Sequence, residues 1–130
     1  MYRNLDLATL EQEYSPSSCI DDINIYIEQY IQQSATATQL AASQKALLSD
    51  LSYGSNIDEV LDLYLPTQGN TRKLQIYIHG GYWQELTKAE SSFAATNFQQ
   101  QGCYFAVLNY SLAPNASLTE IVEQNRRALA

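Results

Sequence analysis

The chain has 130 residues, enough for one compact domain with an apolar core, and 45% of them are apolar. Asp plus Glu outnumber Lys plus Arg by 14 to 7, a net charge of −7, which excludes a partner held by its phosphates; the basic pairs Arg72–Lys73 and Arg126–Arg127 make no basic face. No run nears the ~18 apolar residues of a membrane span, no secretory leader pattern opens the chain, and Cys19 and Cys103 make neither a metal motif nor a disulfide framework, so they read as reduced thiols of a cytoplasmic protein.

In chain order, residues 1–49 read as a polar helical lead-in or cap segment. Tyr14-Ser15-Pro16-Ser17-Ser18 reads as a turn before a helix, with lining of a site from the N-terminal side as the sharper alternative. Ser18 to Asp21 has the pattern of a capping box, followed by Ile20, Ile23, Ile27, Tyr30 and Ile31 at helical spacing. A second helix is expected over Ala35 to Ser49, with Leu40, Leu47 and Leu48 as its stripe. Residues 50–130 change character. Asp50 to Gly54 is a short strand candidate, and Glu59 to Leu65 alternates with Leu61, Leu63 and Leu65 on one face. Leu74 to Ile78 alternates again. Thr87 to Glu90 is a second capping box, and the helix it opens is expected to carry Phe93, Ala94 and Phe98 and to stop at Gly102. Tyr104 to Leu108 is an unbroken apolar run, the mark of a strand in the middle of a parallel sheet. Ser117 to Glu120 opens a last helix with Leu118, Ile121, Val122 and Leu129. The fold class is α/β, with a right-handed crossover joining residues 74–78 to 104–108.

Chemistry concentrates in Ile78-His79-Gly80-Gly81-Tyr82-Trp83-Gln84, directly after a strand and ahead of a capped helix. Adjacent glycines let main-chain N–H groups approach a ligand closely. Acyl transfer needs such groups, because the attacked carbonyl oxygen becomes negative in the tetrahedral intermediate. A phosphate cradle would want G-x-G-x-x-G or a Gly-Lys-Ser/Thr ending, and neither is present. A lone histidine at a strand end is ordinarily structural, and His79 is the only histidine. The two cysteines have no basic neighbour in sequence to favour a thiolate.

The stretch from His79 to Gln84 resembles the HGGxW signature of kynurenine formamidases (arylformamidases) and their esterase relatives in the α/β-hydrolase superfamily. Leu61-Asp62-Leu63-Tyr64-Leu65-Pro66 is similar to that family's second strand. Asn109-Tyr110-Ser111-Leu112-Ala113-Pro114 is similar to the segment after its fourth strand, with Ser111 where arginine is usual. The resemblance implies an α/β-hydrolase fold cut short: N-terminal helices plus about four strands and crossover helices, in strand order 1-2-4-3, with the C-terminal half absent. It implies that Gly80 and Gly81, with Tyr82, donate the oxyanion-hole N–H groups. His79 would hold the loop, and Tyr82 and Trp83 would border the substrate pocket. The implied substrate is an aryl formamide such as N-formylkynurenine or a carboxylic ester, with no cofactor and no metal.

No Gly-x-Ser-x-Gly elbow occurs in the chain, and the family's Ser…Asp…His order excludes His79 as the triad base. The expectation is half an active site without nucleophile, acid or base. Leu74 to Ile78 would be left as an open sheet edge inviting edge-strand association or a homodimer. The competing expectations are an inactive fragment and a noncatalytic binding module on a hydrolase-like scaffold.

Overall fold

The computed structural model describes residues 5–130, the side chain of Ser18 excepted. Helix α1 spans Leu7–Glu13 and is capped by Asp6, whose carboxylate accepts from the Thr9 N–H at 2.8 Å. A 3-10 turn, Pro16–Cys19, follows. Helix α2 then runs unbroken over Ile23–Ser43. Its N-cap is Asp22, which accepts from the Asn24 N–H at 2.9 Å, so the expected box at Ser18–Asp21 is not where the helix starts. The helix expected over Ala35–Ser49 is also corrected. Its first part is the end of α2, and its last residues open strand β1, Leu47–Ser52. Lys45, at φ 56°, makes the turn between them.

Strand β2 is Val60–Tyr64, β3 is Leu74–Ile78 and β4 is Tyr104–Leu108. They form one sheet in the order β1-β2-β4-β3. Strand β4 pairs parallel with β3 but antiparallel with β2, so the sheet is mixed rather than parallel around its central strand. Strand β4 is buried on both faces, whereas β3 lies at an edge with Leu74 and Ile78 exposed. In β2 the deeply buried face carries Asp62 and Tyr64, and the leucines opposite are only half covered.

The expected box at Thr87–Glu90 is present, but it opens a 3-10 turn, Lys88–Glu90; helix α3 starts only at Ala95 and ends at Gln100. Helix α4 spans Leu118–Ala128, with the Ser117 hydroxyl accepting from the Glu120 N–H at 3.2 Å.

The main core joins Ala37 and Ala41 of α2 to Tyr64, Phe105, Val107 and Ala95. Alanine on this face of α2 lets the helix lie close to the sheet, and Thr38 Oγ1 meets the Tyr64 hydroxyl at 2.9 Å. Phe98 stacks on Phe105 at 5.1 Å, and Tyr77 meets Phe93 edge-on at 5.6 Å. A smaller cluster of Tyr110, Ala116 and Ile121 seats α4. Among the described residues no helix is long and apolar enough to cross a membrane.

Candidate active site

The loop 79–86 leaves the end of β3 and folds back on itself. The Gly81 carbonyl accepts from the N–H groups of Gln84 and Glu85 at 3.0 and 2.9 Å. Gly81 sits at φ +101°, and a Cβ there would collide with the Glu85 carbonyl, so the turn requires glycine. Gly80 is different: apart from its two chain neighbours, no atom of the described residues lies within 4 Å of where its Cβ would sit. Tyr82 and Trp83 both take left-handed backbone, at φ 54° and 62°. Consecutive residues of this kind cost free energy and persist where the surroundings impose them. Among the described residues no protein acceptor takes the N–H of Gly80, Gly81 or Tyr82.

His79 is buried under this loop. Its Nδ1 lies 2.9 Å from the Gly80 carbonyl. A carbonyl only accepts, so Nδ1 carries the proton and Nε2 is left as an acceptor. Its ring stacks on Tyr110 at 4.2 Å, and the Tyr110 hydroxyl donates to the His79 carbonyl at 2.6 Å. Burial holds the His79 pKa below the ordinary histidine value, against smaller upward pulls from the Gly80 carbonyl and Glu90. The imidazole, held between the Tyr110 ring and the Gly80 carbonyl, ties the loop to the segment after β4. A further tie comes from the Ala113 N–H, which donates to the Trp83 carbonyl at 2.8 Å.

Tyr82 and Trp83 are neighbours, with ring centroids 5.4 Å apart, yet they line different spaces. Tyr82 borders a cleft of about 570 Å³ that includes Gly81 and the N-terminal residues Tyr14 to Ser17. Trp83 borders a cavity of about 400 Å³ with Ile78, His79, Val122, Asn125 and Leu129. Two buried acceptors among its lining residues, His79 Nε2 and Asn125 Oδ1, have no hydrogen-bond partner among the described residues.

Several supporting residues carried no signal in the sequence. Lys88 Nζ bridges Asp62 at 2.6 Å and Asp50 at 2.9 Å, pinning the turn after the loop onto β1 and β2. Burial lowers its pKa, but the two carboxylates outweigh that and hold it above the ordinary lysine value. Asp50 reaches Lys88 because a bulge between Leu48 and Leu51 puts it at φ 55°. Ser111, the departure from the family's arginine, donates to Asp58 at 2.8 Å and accepts from Gln124 at 3.0 Å. Arg127 of α4 reaches the buried Glu59 through Nε at 2.7 Å. These pairs are 13 to 68 residues apart in sequence, beyond any local pattern.

A strand ending in a glycine pair with unengaged amides, central β4 and the order β1-β2-β4-β3 can be set beside known proteins. Kynurenine formamidase from Danio rerio is 35% identical over 98% of this chain and 45% of its own length, and that from Salmo salar 31% identical over the same shares. The chain has the α/β-hydrolase fold, and over nearly its whole length its sequence is similar to kynurenine formamidases. It spans about half the length of the curated relatives it matches. No protein-family model matches it. A solved structure described as a candidate thioesterase, from Silicibacter sp. TM1040, superposes with TM-score 0.77 at 28% identity, covering 88% of this chain and 43% of that one. Esterase B from Lactobacillus rhamnosis shares the fold at 20% identity, TM-score 0.58, over 81% of this chain and 39% of its own.

Proposed function

We propose that this chain supplies the oxyanion half of a serine hydrolase acting on an aryl formamide of the N-formylkynurenine kind, or on a carboxylic ester. The observation that carries the reading is the set of unengaged N–H groups on Gly80, Gly81 and Tyr82, at the end of a strand bordering a cleft. When a nucleophile attacks a carbonyl there, the oxygen becomes negative. Amides already fixed in place stabilise it without reorganising, each by roughly 3 kcal/mol of barrier. His79 positions those amides. Two free cysteines fit a reducing compartment such as the cytoplasm.

The nucleophile, acid and base come from polypeptide outside these 130 residues, since the sequence holds no Gly-x-Ser-x-Gly. The open edge of β3 and the adjoining cavity suit that polypeptide. A strand paired there completes the ladder, and its donors satisfy His79 Nε2 and Asn125 Oδ1.

The test is turnover of a p-nitrophenyl ester and of an aryl formamide. The 130 residues alone should release neither product. The same residues joined to, or co-expressed with, a segment bearing Gly-x-Ser-x-Gly should release both. Turnover by the short chain overturns the account of the nucleophile. An inert reconstituted protein favours the competing reading, a noncatalytic binding scaffold.

A further inference from the structure

Helix α1 buries no residue of its own, and the turn Pro16–Cys19 places no described residue in either core cluster. Core packing therefore does not explain why this segment lies where it does. Its neighbours do: Tyr14, Pro16 and Ser17 line the 570 Å³ cleft whose other side is Gly81 and Tyr82. Pro16 opens its 3-10 turn with φ already fixed, which keeps the segment's shape inexpensive in entropy. The cleft holds two phenol rings, and among the described residues its only charged lining residues are Glu11 and Glu85. Among the described residues no lysine or arginine lines it.

We propose that the segment Tyr14–Ser17 is the specificity wall of the hydrolase site, taking the aromatic part of the substrate between Tyr14 and Tyr82 and favouring a neutral or cationic ring over an anionic one. The inference rests on the oxyanion reading above and adds what the site accepts. Tyrosine rings offer large contact area and a face that attracts cations. A carboxylate on the ring would meet two like charges and no counter-ion, whereas an ammonium would meet two opposite ones.

Three probes test it on the isotopically labelled chain: formanilide, its 4-aminomethyl derivative and its 4-carboxy derivative. Amide shifts are read by NMR. Formanilide should move the Gly80 and Gly81 amides together with those of residues 14–17. The cationic probe should bind tightest and the anionic one weakest, roughly tenfold apart, with the spread shrinking in salt. Tyr14→Ala should weaken formanilide about fivefold, while Tyr14→Phe, which keeps the ring, should not. The double variant Glu11→Gln, Glu85→Gln should abolish the charge ranking. Shifts confined to the loop, or unchanged binding by Tyr14→Ala, overturn the wall and leave the oxyanion reading standing. A ranking that survives the double variant comes from the net charge of the whole chain and overturns the charge selection. Probes that leave Gly80 and Gly81 unmoved overturn both readings.

Discussion

Gly80 and Gly81 stand side by side for different reasons, and their alanine variants should separate them. Gly81→Ala forces a side chain into the Glu85 carbonyl at φ +101°, so it should cost roughly 1–3 kcal/mol in urea unfolding. Gly80→Ala has room and should leave stability within about 0.5 kcal/mol. Its methyl group instead intrudes on ligand approach, so formanilide binding should fall with the fold intact. The sequence made the pair visible and its neighbours suggestive. It did not distinguish the two glycines, because the carbonyl that excludes a Cβ at Gly81 is placed only once the turn to Glu85 has closed. The place of His79 at the end of β3 was legible from the strand's alternation. Its stacking on Tyr110 was not, since the partner lies 31 residues on.

Between elements, one lysine clamps the stretch after the loop to two strands. Lys88→Met should leave Asp62, whose side chain is only 10% exposed, without its counter-charge. The expected loss is roughly 2–3 kcal/mol, below that of a fully buried pair because Asp50 remains largely in water. Urea unfolding measures it, and the Gly80 and Gly81 amides should broaden as their anchor loosens. Strand β3 should exchange its amide hydrogens faster than β4, since only one of its edges is paired. Self-association through that edge is the partner we propose for the isolated chain. Ile78→Lys should suppress any concentration-dependent dimer seen in sedimentation. Protection of β3 equal to that of β4 in a dilute monomer would contradict this account. The elements read best from sequence were β3 and β4, where alternation and an unbroken apolar run are local facts. The boundary between α2 and β1 was misread because no glycine marks it. Lys45 takes the left-handed turn instead, and β1 is too exposed to show an alternating face.

At the scale of the molecule, His79 and Glu59 are two of the groups that link stability to pH on the acid side. His79 has a folded pKa held below its ordinary 6.5 by burial, so the unfolded chain binds its proton more readily. Its contribution is complete above about pH 6.5 and is lost as pH falls through the lower folded value. Glu59 is lowered from 4.5, first by the Asn56 N–H and then by Arg127, so a second loss begins below that pH. Thermal melts should therefore show two acid-side declines, the first removed by His79→Gln and the second by Glu59→Gln. A flat melting temperature from pH 7 to 5 would refute the role given to His79. The sheet order and the α/β-hydrolase fold were legible through the resemblance of residues 61–66, 79–84 and 109–114. The long-range ties of Glu59 to Arg127 and Ser111 to Gln124 were not, because charge and amide patterns carry no address for a distant partner.

An outermost ladder that ends in the glycine-pair loop would make the proposed oxyanion site a detector of its neighbour. A polypeptide pairing beside β3 would also stiffen the amides of Gly80 and Gly81, so that assembly and chemical competence would switch on in one event. Trp83, the sole tryptophan, sits beside that seam and would report the joining by its emission.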